Sequence, residues 1–189
     1  AEYMGGPLFG VELGRRDGEI SKASMVEGNL PQPSYNFRQL VNIFAKNNLS
    51  LTEMIALIGG GHSVGVSHCK SFSDRIWKGD SSINFFYSLE LRSLCPLDAS
   101  AYRVVPIDVI TPITLDNKYL FNLLKGKGLF SSDAALLTDN TAAATVKGFT
   151  ENPLAFYQAF ALSMVKLGRS GVLTDKQGKI RKNCRDINS

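Results

Sequence analysis

One stretch of this sequence decides how the rest is interpreted, and it reads Gly59-Gly60-Gly61-His62-Ser63-Val64-Gly65. Three glycines in a row are expected to break or sharply bend a helix, and residues 62–75 are expected to resume as helix after them. The small residues before His62 would let a flat cofactor approach the backbone, and a neutral imidazole is a good ligand for haem iron. The residues by themselves leave a second interpretation open, in which His62 is a structural histidine without a ligand.

The spacing of apolar residues predicts helices on both sides of this stretch. Before it, Ser50 followed by Glu53 has the pattern of a capping box at the start of a helix. After it, helices are expected over residues 84–94, 116–124, 133–137, 141–149 and 153–167. Val172-Leu173 and Lys179-Ile180 could form one hairpin. The sequence therefore predicts an all-α fold, as a single domain over residues 1–189, with at most a small β-hairpin.

The composition limits the classes of function. The chain has 189 residues, of which 44% are hydrophobic and 20% charged, a balance typical of a globular domain with a substantial core. No apolar run approaches the roughly 20 residues that span a bilayer, so no membrane partner is expected, and residues 1–6 lack the pattern of a signal peptide. The net charge of +4 is too mild to indicate a nucleic-acid partner. The basic residues near the C-terminus form either a solvated tail or a polyanion site; they are Lys176, Lys179, Arg181, Lys182 and Arg185.

A second stretch gathers oxygen-bearing side chains around a proline. Two carboxylates and two hydroxyls, from Asp108, Thr111, Thr114 and Asp116, fall within nine positions. Calcium takes six to eight such hard oxygen ligands, although the spacing is not that of an EF-hand. Asp116 could equally cap the helix that follows it, so a calcium site and a helix cap both remain open.

A third stretch, Lys127-Gly128-Leu129-Phe130-Ser131-Ser132-Asp133, ends in a carboxylate. A carboxylate can accept the second ring N–H of a metal-bound histidine, which fixes the tautomer and makes the imidazole more electron-donating. Asp133 could instead be an ordinary cap at the N-terminus of a short helix. By itself, this stretch favours the helix cap.

Together and in this order, these stretches resemble the class III plant peroxidases, a family of secreted haem enzymes. The resemblance covers essentially the whole chain. The family's haem-ligand signature resembles residues 60–65 together with Cys69, Phe72 and Arg75. Its calcium stretch, DxxTPxxFDNxYY, resembles Asp108, Thr111-Pro112 and Asp116-Asn117-Lys118-Tyr119. Further matches lie at residues 14–18, 30–33, 127–133 and 172–185.

The resemblance implies a role for particular residues. His62 would be the axial ligand of haem b, and Asp133 would hydrogen-bond it from behind. Pro31 would lie at the rim where small phenolic reductants enter. The calcium ligands would be Ser63, Asp108, Thr111, Thr114 and Asp116. Calcium would then hold the imidazole in place, because it ties the residue beside the ligand to a distant loop.

The chain departs from the family's pattern at several of these positions. Ser63 stands where the family has threonine, and Ile107 stands where it often has an aromatic residue beside the axial imidazole. One extra glycine precedes His62, while Thr114-Leu115 and Leu120 alter the calcium stretch. Each departure could weaken haem or calcium binding.

The family's other half carries an RxxFHDCF motif, whose histidine acts as a general base toward peroxide and whose arginine polarises the O–O bond. That motif does not occur among these 189 residues, and His68 is expected to lie on the same side of the haem as His62. We therefore expect low peroxidase activity from this polypeptide. A distal-half partner or self-association would cover its exposed apolar surface. The alternative function is a non-catalytic module that binds haem, another ligand or itself.

The three cysteines agree with this interpretation. The family's pairing would join Cys69 to Cys95, and Cys184 would be left unpaired because its usual partner lies in the other half. Disulfides form in oxidising compartments, and Asn48-Leu49-Ser50 is a glycosylation sequon. The resemblance therefore implies a secreted protein, in the apoplast or the vacuole.

Overall fold

A computed structural model describes residues 1–100 and 102–186 of the chain. Within these ranges it contains eight α-helices and one small antiparallel sheet, which confirms the all-α prediction. The helices are α1 (Phe37–Ala45), α2 (Leu51–His62), α3 (Ser73–Trp77), α4 (Phe85–Leu94), α5 (Lys118–Leu124), α6 (Ser131–Ala135), α7 (Asn140–Glu151) and α8 (Pro153–Gly168). The strands are β1 (Val66–His68) and β2 (Val104–Pro106).

Helix α2 lies at the centre of the fold. It begins at the predicted capping box, in which the Ser50 hydroxyl accepts from the Glu53 amide and the Glu53 carboxylate accepts from the Ser50 amide. Residues 54–60 are all buried, as expected for a helix that is apolar on every side. Helices α1, α5, α7 and α8 pack around it. This packing fixes the end of α2, where His62 is the last helical residue.

The three glycines do not interrupt α2, so the predicted break before His62 is wrong. Gly59 and Gly60 are glycines because neighbouring side chains approach the helix closely. A Cβ at Gly59 would lie 2.9 Å from the Leu120 side chain, and one at Gly60 would lie 2.3 Å from the Phe160 ring. Gly61 differs, since a Cβ there would meet no atom within 4 Å. The first two glycines serve helix packing, and the third lies against open space.

The segment after His62 is not the continuous helix that the sequence predicted. The chain turns at residues 63–65 and enters β1, which pairs antiparallel with β2 in the register Val66↔Pro106 to His68↔Val104. This pairing provides backbone hydrogen bonds that a helix would otherwise supply. His68 is therefore exposed on a strand. A 3-10 turn follows at Cys69–Ser71, and α-helix resumes only at α3.

A disulfide joins Cys69 to Cys95, next to the small sheet, as the resemblance implied. It closes a loop with a sequence separation of 26, which corresponds to roughly 3–4 kcal/mol of stabilisation in the chain-entropy model. Cys184 is a free, exposed cysteine.

The small sheet forms away from the predicted hairpin. Leu173 and Lys179 do not pair with each other; each forms an isolated bridge with the N-terminal segment, Leu173 with Arg16 and Lys179 with Asp17. Gly178 permits this approach, since its φ is +64° and a Cβ there would lie 2.6 Å from the Asp17 carbonyl oxygen. The two ends of the described chain are thereby held together. In the described residues, no helix has the length and apolar character needed to cross a bilayer.

Candidate functional site

The end of α2 brings His62 against a carboxylate from another element. His62 Nδ1 lies 3.1 Å from Asp133 Oδ1, although the two residues are 71 positions apart in sequence. Asp133 lies in α6 and is only 1% exposed. It accepts hydrogen bonds from side chains, and the N-cap position of α6 belongs to Phe130. The helix-cap interpretation of Asp133 is therefore not what the structure shows.

A buried tyrosine completes this arrangement. The Tyr119 hydroxyl, at the start of α5, donates to Asp133 Oδ2, so each carboxylate oxygen has its own donor. Burial raises the pKa of Tyr119 well above its usual value, and the neighbouring Asp133 charge raises it further. The hydroxyl thus keeps its proton and acts as a donor.

The environment of His62 favours a proton on Nδ1. Burial lowers the pKa of His62, but the charge and the hydrogen bond of Asp133 outweigh it, and the pKa lies above its usual value. Within the described part of the chain, the second ring nitrogen, Nε2, makes no hydrogen bond. The rings of Tyr119 and Phe130 meet the imidazole edgewise, with centroids at 5.6 and 5.2 Å. The imidazole is held from three directions and its Nε2 is left available.

His62 lines a large apolar cavity of about 780 Å³, within the range of roughly 300–1,000 Å³ that small-molecule sites occupy. Gly61 lines it beside the histidine, where a side chain would otherwise fill space. Pro31 and its neighbours border the same cavity, as do Phe130 and Phe160. An available imidazole nitrogen, a bare backbone beside it and apolar walls fit a flat, largely apolar ligand with a metal centre.

The structure also brings the predicted calcium residues into one region. Thr111 Oγ1 lies 3.3 Å from Asp108 Oδ2 and 3.1 Å from Asp116 Oδ1, so two carboxylates converge on one hydroxyl. Asp116 also accepts from the Lys118 amide at 2.8 Å. The N-cap position of α5 belongs to Asn117, so Asp116 is not the helix cap that the sequence offered as an alternative. Its contact with the Lys118 amide is compatible with a bound cation.

Ser63 adjoins this loop through the backbone. Gly65 donates to the Pro112 carbonyl at 3.2 Å, and Val64 forms a bridge with Ile113. The Ser63 hydroxyl is fully buried and donates to the Gly60 carbonyl at 2.9 Å. Thr114 closes the turn, its amide donating to the Thr111 carbonyl at 3.0 Å. No cluster of three or more His, Cys, Asp or Glu side chains occurs in the described ranges, so a cation here would depend on hydroxyl and carbonyl oxygens as well as the two carboxylates.

Comparison with known proteins identifies the family. The family model described as Peroxidase matches residues 1–152. The chain belongs to the peroxidase family. It is 44% identical over 190 residues to Peroxidase 45 of Arabidopsis thaliana, and 47% identical over 191 residues to Peroxidase 55 of the same plant. It is 40% identical over 186 residues to a peroxidase of Triticum aestivum. These alignments cover 97–98% of the chain but only 57–59% of each relative, and they confirm the resemblance to plant peroxidases.

Sequence reasoning did not assign roles to two aromatic residues of this peroxidase-family site. Neither Tyr119 nor Phe130 stands in a pattern that marks it as a neighbour of His62. Ile107 is not aromatic, yet Tyr119 and Phe130 supply rings beside the imidazole. A tyrosine in the first turn of a helix gives no sequence signal for its partner, because that partner lies 14 residues away in another element.

Proposed function

We propose that this peroxidase-family chain binds haem b with His62 Nε2 as the axial ligand of the iron. The observation that carries the proposal is the pairing of His62 Nδ1 with the buried Asp133 at 3.1 Å, beside a cavity of about 780 Å³. A carboxylate behind a ligating histidine fixes the tautomer and makes the other nitrogen a better ligand. Family membership supports the same assignment.

In this proposal, the residues of the chain bind and orient, while the haem supplies the redox chemistry with peroxide. Asp133 holds the proton of His62 on Nδ1 and so keeps the Nε2 lone pair directed into the cavity. Gly61 leaves room for the flat ligand beside the backbone. Phe130 and Phe160 exclude water from the apolar wall, which strengthens the electrostatic interaction between Asp133 and His62.

We propose a calcium ion as a second bound group, held by the carboxylates of Asp108 and Asp116. Ser63 and Thr111 would contribute hydroxyl oxygens, and Thr114 would contribute its carbonyl. The convergence of two carboxylates around the Thr111 hydroxyl supports this site, since it concentrates negative charge in a set of hard oxygen atoms. Calcium here would fix the turn that directly follows His62.

For the complete protein we propose the family's activity, the oxidation of small phenolic donors by hydrogen peroxide, in a secreted compartment. Pro31 borders the cavity, which supports its proposed place at the entrance for donors. The 189-residue polypeptide has no RxxFHDCF motif. The general base and the arginine of that motif would have to come from outside these 189 residues, so the polypeptide tested by itself should turn over slowly.

The proposal is tested by adding haem to the purified polypeptide and recording its Soret band. We expect His62→Ala to lose the wild-type spectrum, and external imidazole to restore it by filling the vacated ligand position. His68→Ala is the matched control, because His68 is exposed on β1 and should leave the spectrum unchanged. A wild-type spectrum in the His62→Ala protein would refute the proposal.

Peroxidase activity is measured separately, as guaiacol oxidation against an equal concentration of free haem. We expect a rate close to that of free haem. Haem retained through gel filtration without added turnover would favour the alternative, a non-catalytic haem-binding module. Turnover far above free haem that disappears in His62→Ala would show that the polypeptide is active without the RxxFHDCF motif.

A further inference from the structure

The carboxylate of Asp133 is divided between two donors. Its Oδ1 faces His62 Nδ1 at 3.1 Å, and its Oδ2 accepts from the Tyr119 hydroxyl. Asp133 is 1% exposed and Tyr119 is fully buried, so bulk water does not compete for either oxygen. In such a dry site, the hydrogen bond to one oxygen changes how strongly the other accepts.

The direction of the Tyr119 hydroxyl is fixed by a second contact. The Leu129 amide donates to Tyr119 Oη at 3.4 Å, which leaves the hydroxyl hydrogen for Asp133. The Tyr119 ring also stands perpendicular to the imidazole, at an interplanar angle of 90°. Tyr119 therefore touches both members of the pair and cannot turn away from it without disturbing the core.

We infer that Tyr119 is a positioning residue that limits how strongly Asp133 draws on the Nδ1 proton of His62. Its hydroxyl takes part of the carboxylate's negative charge, which leaves Asp133 Oδ1 a weaker acceptor for the Nδ1 proton. Without it, the charge of Asp133 would bear on His62 alone, and the imidazole would become more electron-donating. The inference rests on the proposed function only where it extends to bound haem, since the contact exists in the polypeptide itself.

The first test needs no haem. The chemical shift of the His62 Nδ1 proton, measured by NMR in the haem-free protein, reports the strength of its hydrogen bond to Asp133. We expect Tyr119→Phe to move this proton downfield. Tyr87→Phe is the matched control, because Tyr87 is also buried but its hydroxyl has no hydrogen-bond partner among the described residues. An unchanged proton shift in Tyr119→Phe, or an equal change in Tyr87→Phe, would overturn the inference.

The second test uses the haem-loaded protein. A more electron-donating imidazole stabilises the ferric form, so Tyr119→Phe should shift the ferric/ferrous equilibrium toward ferric by about tenfold. For a one-electron couple this is about 59 mV. If Tyr119 served only to support the fold, Tyr119→Phe and Tyr87→Phe would have the same ferric/ferrous equilibrium. If wild type binds no haem at His62, the proposed function fails, while the haem-free measurement still decides the role of Tyr119.

A conservative replacement covers the case in which Tyr119→Phe does not fold. Tyr119→3-fluorotyrosine keeps the ring and the hydroxyl but makes the hydroxyl a stronger donor. The His62 Nδ1 proton should then move upfield, opposite to the change in Tyr119→Phe. A downfield movement or no movement would count against the inference.

Discussion

Arg75 places a positive charge in the core, with only 2% of its side chain exposed. Its Nη1 donates to Asp80 and to Ser82 Oγ, the latter at 2.9 Å. Its Nε and Nη2 have no partner among the described residues. A buried charge that loses its counter-ion is costly. The Asp80 carboxylate therefore stabilises the buried guanidinium of Arg75.

We expect Asp80→Asn to destabilise the protein by about 3 kcal/mol at pH 7, because it leaves Arg75 without a counter-ion. Urea unfolding gives this free energy. Asp74→Asn is the control, since Asp74 and its partner Lys78 are exposed, and it should change the stability by less than about 1 kcal/mol. A similar loss in both variants would contradict the expectation.

The same pair predicts a dependence on pH. Burial raises the pKa of Asp80, but hydrogen bonds from Ser82 and the charge of Arg75 outweigh it, and the pKa lies below its ordinary value. A carboxylate with a lowered pKa stabilises the fold above its unfolded pKa of about 3.9, and this stabilisation is lost as the pH falls through the folded pKa. The difference in unfolding free energy between wild type and Asp80→Asn should therefore shrink below about pH 4. A constant difference down to pH 2 would contradict this assignment.

At the scale of the element, α2 depends on glycines that differ in their surroundings. We expect Gly60→Ala to cost about 1–3 kcal/mol, because the new methyl group would overlap the Phe160 ring, which packs against Phe156. Gly61→Ala should instead be neutral or stabilising by about 0.5 kcal/mol, since the site is open and alanine favours helix. Thermal unfolding of the haem-free proteins measures both. Equal changes in stability in the two variants would mean that helix propensity, and not contact with Phe160, sets the cost of replacing these glycines.

This element also shows what the sequence could predict. Ser50 and Glu53 mark the start of α2 through a local pattern, and that prediction is confirmed. The end of the predicted helix was wrong because the partners of Gly59 and Gly60 are distant in sequence. A glycine gives the same local signal whether it breaks a helix or admits a neighbour, and only the position of Phe160 separates the two cases.

The site shows the same division between local and distant information. Resemblance to a family brings His62 and Asp133 together as a hypothesis, although the residues alone favour a structural histidine and a helix cap. The pairing of β1 with β2 sets the loop that carries Asp108 beside Ser63, and three-residue strands are too short to predict from alternation. The contact of Tyr119 with Asp133 depends on how α5 and α6 pack, which no spacing encodes.

At the scale of the whole molecule, calcium should couple the loop at residues 108–116 to the stability of the fold. A ligand that binds only the folded state stabilises it by about 2.7 kcal/mol at a concentration of 100 Kd. For a protein of this length, that corresponds to an increase in Tm of about 5–10 °C. We expect excess calcium to raise the Tm by this amount, and a chelator to reverse the increase.

A substitution in this loop can lower the Tm without affecting calcium binding. The quantity compared between variants is therefore the change in Tm that calcium causes. Asp116→Asn should abolish most of it, because an amide removes one of the two negative charges. Asp98→Asn is the control, since Asp98 is exposed and lies outside this loop. A full calcium response in Asp116→Asn would exclude the proposed ligand set.

Two backbone bridges, Arg16 with Leu173 and Asp17 with Lys179, hold the N-terminal segment that borders the cavity. Phe9, on the segment that they hold, closes one wall with its ring edge against Phe160. A proteolytic cut in the exposed turn near Asp175 would loosen these bridges without touching His62. The ion pair between Glu12 and Arg169 would still tie the segment to the end of α8. If haem binds as proposed, such a cut should shorten the time that the porphyrin stays in the cavity, because the segment that carries Phe9 would be held less firmly.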